Sequence, residues 1–212
     1  MLKRKLSNKG EQMARVVVPG ELLADSPRKT NFTYVENEKT YSSILGLFDE
    51  VGFRLIPLEG VYVPSLYDIV VGVVEEVKFA GYTVDINSPY QGFLPAKDSR
   101  YEYELGDVIS AKVKQVDEVK NIILENARKL REGEIVEISP AKVPRVIGKK
   151  NSMLNLLRTA TGSEIIVGNN GRIWIKGGNS ALAARAILKI EKEAHTTGLT
   201  ERIETLLREE GK

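Results

Sequence analysis

The 212-residue chain has no cysteine, which excludes disulfides, thiolate catalysis and cysteine-ligated zinc. Its one histidine, His195, leaves no second imidazole for a multi-histidine metal site. Near the end of a helical segment, His195 fits a contact with the helix dipole better than acid–base catalysis. No apolar run approaches the roughly 20 residues that span a bilayer as a helix. The basic start Met1-Leu2-Lys3-Arg4-Lys5 has no apolar stretch behind it, so it does not read as a signal peptide. Converging carboxylates of the two-metal nuclease kind are also missing. The pairs Asp49-Glu50, Glu75-Glu76 and Asp117-Glu118 are sequence neighbours, which point to opposite faces of a strand. The reading is of a soluble, cytoplasmic, non-catalytic chain without cofactor, metal or membrane partner.

Acid is scarce in one place. Overall charge is close to balanced, 31 basic against 29 acidic side chains. Residues 138–163 nevertheless carry five bases (Lys142, Arg145, Lys149, Lys150 and Arg158) and no acid. Such a local positive field is the footprint of a phosphate-binding surface, with a solvated basic face as the alternative. Residues 61–137 lean the other way, with 9 bases and 14 acids.

Turn residues divide the chain into a β-rich segment 1–60 with a basic tail 1–13, a middle segment 61–131 and a last segment 132–212. In the first, Ala14–Val18, Thr33–Val35, Ser42–Phe48 and Phe53–Ile56 read as strands between glycine- and proline-bearing turns. The piece is small for an independent core, which makes its apolar strands candidates for packing on another surface. In the middle segment Ile69–Val77, Tyr82–Ile86, Gly92–Pro95, Val108–Val116 and Ile122–Leu124 make five strands. Read as antiparallel, they fit a small closed barrel of the oligonucleotide-binding type, although composition alone leaves a sandwich nearly as close. The last segment runs strand, helix, glycine loop, helix, strand, strand, helix. Glu164–Val167 and Arg172–Lys176 are joined by Gly168-Asn169-Asn170-Gly171, a hairpin turn. Leu182, Ala183, Ala186, Ile187 and Ile190 then mark one helix face, and Thr200 is a candidate cap for a last helix. Trp174 alternates with Ile173 and Ile175, which leaves it open as a base-stacking platform or a packing residue.

The loop Val146-Ile147-Gly148-Lys149-Lys150-Asn151-Ser152, set between two helices in this element order, resembles a KH domain, a module that clamps single-stranded nucleic acid. The resemblance implies RNA contacts from Arg145, Gly148, Lys149, Lys150 and Asn151. Asn151 stands where the family has a second glycine, and Asn is the non-glycine residue best suited to a left-handed conformation. The stretches Gly72–Val77, Gly81–Ile86, Gly92–Pro95 and Gly106–Ile109 resemble an S1 RNA-binding domain. They imply contacts from Lys78, Phe79, Tyr82, Phe93 and Arg100, with core packing the alternative for each aromatic. Pro95 and Asn121 replace a frequent histidine and arginine of that family.

Together with Val17-Val18-Pro19-Gly20-Glu21-Leu22-Leu23, Ser88–Pro95 and the turn Gly168, Asn170, Gly171, this order resembles the archaeal exosome cap subunits of the ribosomal RNA-processing protein 4 family. That resemblance covers about residues 14–210. It implies a multidomain chain: a small all-β N-terminal domain, a five-stranded β-barrel of the S1 type and an α/β KH domain. It further implies a non-catalytic cap, three copies on a hexameric ring of phosphorolytic exoribonuclease subunits, that binds single-stranded RNA and guides it to the ring. The alternative is a free-standing S1/KH RNA-binding regulator of translation or transcription elongation. The bacterial elongation factor of that kind carries a second KH domain, for which the residues after Lys176 are too few. Polynucleotide phosphorylase has the two modules in the opposite order, and the other archaeal cap ends in a zinc ribbon that needs cysteine.

Overall fold

A computed structural model describes residues 14–30, 32–57, 60–99, 101–118, 120–194, 196 and 198–210. The basic tail, Arg100 and His195 fall outside the described residues. The chain forms two compact units, one ending at Gly60 and one beginning at Val61.

The first unit holds six short strands in two three-stranded sheets. Strands β1 (Ala14–Val17), β5 (Gly46–Asp49) and β6 (Arg54–Pro57) form one, in the order β1-β5-β6. Strands β2 (Leu22–Ala24), β4 (Lys39–Ser42) and β3 (Thr33–Glu36) form the other, in the order β2-β4-β3. Asn37 and Glu38 both have positive φ, 48° and 61°, and make the two-residue turn of the β3–β4 hairpin. The stretch 42–48, read as one strand, is broken after Ser42. The buried Ser42 hydroxyl donates to the Ile44 carbonyl at 2.6 Å and bends the chain there. Strand β2 has only three residues, too few to show a period in the sequence. Among its described apolar side chains the buried ones are Val17, Phe48 and Leu55, with Phe53 edge-on to Phe48. Val16, Val18, Phe32, Tyr34, Val35 and Val51 remain exposed.

The second unit begins with a closed barrel of β7 (Ile69–Lys78), β8 (Gly81–Asp85), β9 (Gly92–Pro95), β10 (Val108–Val116) and β11 (Ile122–Leu130), in ring order β10-β11-β9-β8-β7. The antiparallel reading holds for four of the five pairings, whereas β9 and β11 run parallel. A closed ring with an odd number of strands cannot alternate throughout, so one parallel pair is obligatory. Strand β11 continues six residues past Leu124. Asn126, at φ 52°, sits in a bulge opposite the Ser110/Lys112 register shift, and the bulge breaks the apolar alternation that would have revealed the rest. At Gly72 the barrel wall closes tightly: a β-carbon there would lie 2.5 Å from Val84 Cγ1.

The KH portion follows as β12 (Glu134–Glu137), α1 (Val143–Ile147), α2 (Ser152–Thr161), β13 (Glu164–Val167), β14 (Arg172–Lys176), α3 (Ser180–Glu193) and α4 (Leu199–Glu210). Its antiparallel sheet has the order β12-β14-β13. The helices cover one face, packing Val146, Leu157, Ile187, Ile190 and Ile203 against Ile165, Ile173 and Ile175. Asn179 caps α3, its side chain accepting from the Leu182 amide at 3.1 Å. Thr200 does not cap α4, which already begins at Leu199; the Arg202 amide donates back to the Gly198 carbonyl.

Barrel and KH sheet share a second, smaller core. Trp174 (2% exposed) packs with Val71 and Leu130, flanked by Val108, Ile135 and Ile166. This decides the open question about Trp174: its indole is a packing residue of the junction. Gly133 is forced to be glycine by it, since a β-carbon would sit 2.2 Å from the indole nitrogen. The turn Gly168–Gly171 does more than reverse the chain. The wholly buried Asn170 accepts from the Val71 amide (3.2 Å) and donates to the carbonyls of Val71 (2.7 Å) and Ile86 (2.9 Å). Asn169 adds hydrogen bonds to Asp68 Oδ1 and the Ile69 carbonyl, both 2.7 Å.

Candidate nucleic-acid interface

The KH loop is built by local backbone chemistry. Helix α1 ends at Gly148 (φ 73°, ψ 172°), whose amide donates to the Pro144 carbonyl at 2.9 Å. Lys150 (φ 54°, ψ 38°) and Asn151 (φ 63°, ψ 19°) are then both left-handed, and Ser152 returns to helix at the start of α2. Asn151 therefore holds the conformation anticipated for it. The left-handed Lys150 was not anticipated, because lysine carries no such preference. Gly148 has an internal reason to lack a side chain as well: a β-carbon would meet the Met153 amide nitrogen at 2.7 Å and Met153 Cβ at 2.8 Å.

Met153, Leu154 and Leu157 anchor α2 in the core, so the loop itself is held at the surface with Lys149 and Lys150 exposed. Arg145 is exposed on the last turn of α1. Lys142, Arg145, Lys149 and Lys150 have no acidic partner among the described residues. Asn151 makes no side-chain cap on α2, and the first amide of the helix, that of Ser152, donates to the Lys149 carbonyl, so the exposed cations are what the loop offers an anion. The structure thus brings all five predicted KH-loop residues to one exposed corner.

A left-handed lysine costs about 1 kcal/mol relative to glycine, partly offset by the entropy glycine adds to the unfolded chain. Lys150→Gly should therefore leave stability unchanged or raise it by up to about 1 kcal/mol, while weakening RNA binding through the lost charge. Denaturant melts and RNA titrations on the one variant check both halves; a clear loss of stability would contradict the strain argument.

The five S1 candidates meet different fates. Tyr82 is a barrel-core residue, 9% exposed and edge-on to Tyr103 at 5.2 Å, which favours the core-packing alternative over base stacking. Its neighbour Thr83 lies on the opposite face of β8, at the floor of a groove and largely covered. Phe79 stands fully exposed at the β7–β8 turn. Lys78 pairs with Glu76 at 2.7 Å, and that hydrogen bond holds the Glu76 carboxyl below the usual carboxylate range. Arg100 lies outside the described residues.

Phe93 is half-buried and lines an open groove over β8, β9 and the loop before β11, beside Thr83, Tyr90, Gln91 and Asn121. Its polar lining is ordered. Gln91 Nε2 donates to Glu75 Oε2 at 2.9 Å, and Asn121 Nδ2 donates to Asp117 Oδ2 at 2.6 Å. Tyr90, Gln91 and Thr83 were not singled out in the sequence, although Tyr90 and Gln91 lie inside the Ser88–Pro95 stretch. Among the described residues, no group of three or more histidine, aspartate or glutamate side chains converges to hold a metal, and no helix is long and apolar enough to cross a membrane.

Known proteins share this arrangement. Residues 14–59 match the family model of the exosome RNA binding protein RRP4 N-terminal domain, and residues 133–181 match that of the KH domain. The exosome complex component Rrp4 of Pyrococcus furiosus is 46% identical over 92% of this chain and 83% of its own length. The chain belongs to the Rrp4 family of exosome complex components. The family's Thermococcus kodakarensis member is 43% identical over 91% of this chain and 84% of its own. A crystal structure described as a candidate exosome complex RNA-binding protein superposes with a TM-score of 0.65 at 39% identity, covering 71% of this chain and 97% of that one.

Proposed function

We propose that the chain is the non-catalytic RNA-binding cap of an archaeal exosome, present in three copies on a hexameric ring of phosphorolytic exoribonuclease subunits in the cytoplasm. It binds single-stranded RNA and guides it to the ring, which cuts it. The observation that carries this reading is the cationic corner at Gly148–Asn151, without an acidic partner among the described residues, in a chain whose family membership is shown at 46% identity over 92% of its length. Arg145, Lys149 and Lys150 hold phosphates there, and Phe93 and Phe79 offer ring faces to bases. The same relationship, over 92% of this chain and 83% of the relative, favours the cap over a free-standing regulator.

Docking falls to the first unit, whose exposed Val16, Val18, Tyr34, Val35 and Val51 leave more apolar surface than three core side chains can use. Deleting residues 1–60 should abolish association with co-expressed ring subunits, measured by native mass, while RNA binding through the KH loop persists. The intact chain alone should leave labelled RNA uncut with or without phosphate and Mg²⁺. Assembly of the truncated chain at normal affinity would refute the docking assignment, and RNA decay by the pure chain would refute the non-catalytic one.

A further inference from the structure

The S1 groove is walled by acid. Glu75 and Asp85 both line it, and Lys120 is the only cation among its described lining residues. Two carboxylates oppose a polyanion, yet one of them is paired with a cation. Arg172, on the first position of β14, reaches out of the KH sheet into the barrel wall. Its Nη2 donates to Asp85 Oδ2 at 2.6 Å and its Nη1 to the Asp85 carbonyl at 3.0 Å, while its Nε donates to Glu137 Oε1 at 2.8 Å. The Arg172 side chain is 11% exposed and that of Asp85 30%, so the arginine is buried while the carboxylate it holds opens to the groove.

The same KH turn holds the chain beyond Asp85. Asn170 binds the Ile86 carbonyl, and the Asn170 carbonyl accepts from Asn87 Nδ2 at 3.0 Å. The Asn87 amide in turn donates to Asp85 Oδ1 at 2.9 Å. From this corner the segment 88–91 runs on to line the groove. The junction has its own apolar seal in Trp174, Val71 and Leu130, so a charged pair is not needed to keep the two modules together.

We propose that Arg172 is a positioning residue for RNA in the S1 groove: supplied by the KH sheet and shared with Glu137, it offsets the Asp85 charge and fixes the corner that carries the groove wall. The inference rests on reading the groove as an RNA surface. It makes groove affinity depend on a residue of the other module, and it explains how an acid-lined groove accepts a phosphodiester strand.

The test uses the full chain and a short fluorescein-labelled single-stranded RNA, followed by anisotropy. Arg172→Gln uncovers a carboxylate within a few ångströms of the ligand and should weaken binding about fivefold near 0.1 M salt, with the deficit closing toward 1 M as the repulsion is screened. Asp85→Asn alone should tighten binding about twofold, because it removes the acid and keeps the guanidinium. The double variant should return to within about twofold of the parent. A structural tie predicts the opposite order, with the double variant as weak as Arg172→Gln or weaker and no salt dependence of the deficit; that result overturns the proposal. Phe93→Ala separates the two readings. If it weakens binding while Arg172→Gln does not, the positioning role alone falls; if it leaves affinity unchanged, the groove reading falls and the proposal with it.

Discussion

Asn170→Asp should cost the second unit about 4 kcal/mol, the order expected for an uncompensated buried charge. The side chain is wholly buried, and its amide nitrogen donates to two carbonyl oxygens, of Val71 and Ile86. A carboxylate puts an acceptor against both, so the carbonyls lose their donor and face a negative charge. Asn170→Ala removes the side chain without adding charge. It leaves the Val71 amide and the two carbonyls unpaired, at roughly 1–3 kcal/mol each before relaxation and hydration, for a net of about 3 kcal/mol. The pH dependence separates the two variants. Burial disfavours ionisation of an introduced carboxyl, so its folded-state pKa lies above the unfolded value. The ionisation penalty is then absent below the unfolded pKa and grows as pH rises toward the folded one, so Asn170→Asp recovers stability in acid and Asn170→Ala does not. Trp174 is the chain's single tryptophan and sits in the junction core, so its fluorescence reports this transition directly during urea unfolding. Either variant melting within about 1 kcal/mol of the parent would mean that the clip does not hold barrel and KH sheet together.

The role of that turn shows where sequence reasoning reaches and where it stops. Gly168, Asn170 and Gly171 were legible as a tight reversal, because glycine and asparagine are the residues that tolerate it. Gly171 indeed takes φ 83°. That Asn170 faces the barrel could not be read, since its partners Val71 and Ile86 lie 99 and 84 positions away and offer only backbone atoms, which carry no sequence signature. The same limit applies to Arg172, whose acids Asp85 and Glu137 come from two different sheets. Trp174 stayed undecided because strand alternation gives two faces without saying which one meets another domain. In contrast, the KH loop was legible almost entirely. Its chemistry is contiguous: a glycine, two lysines and an asparagine between two helices whose apolar spacing is itself visible. Tyr82 stayed open between stacking and packing for a reason particular to small barrels, where an aromatic near a strand end fills the interior as readily as it faces a ligand. Here it closes the barrel against Tyr103.

Replacing Lys149 and Lys150 together by alanine should flatten the dependence of log affinity on log salt by about 1.4, since each phosphate neutralised on a single strand contributes about 0.7. Both side chains are exposed at the loop, without an acidic partner among the described residues. Their positive charge is therefore available to a ligand and is not spent inside the protein. The run 138–163 contributes no acid that would offset them. Backbone contacts carry no base information, so the loss should be of similar size for RNAs of different sequence. The fold should be untouched, because α2 is anchored by Met153, Leu154 and Leu157 and neither lysine reaches the core. Lys150→Ala keeps the strain of a left-handed non-glycine residue, so any change in the slope belongs to charge and not to a relaxed loop. Titrations of a labelled single strand at several salt concentrations, with circular dichroism as the control on folding, measure the slope. A slope equal to the parent's in a folded double variant would assign the loop to structure and move phosphate binding to another surface. A change near half the expected value would mean that one lysine contacts phosphate, and the single variants Lys149→Ala and Lys150→Ala would show which.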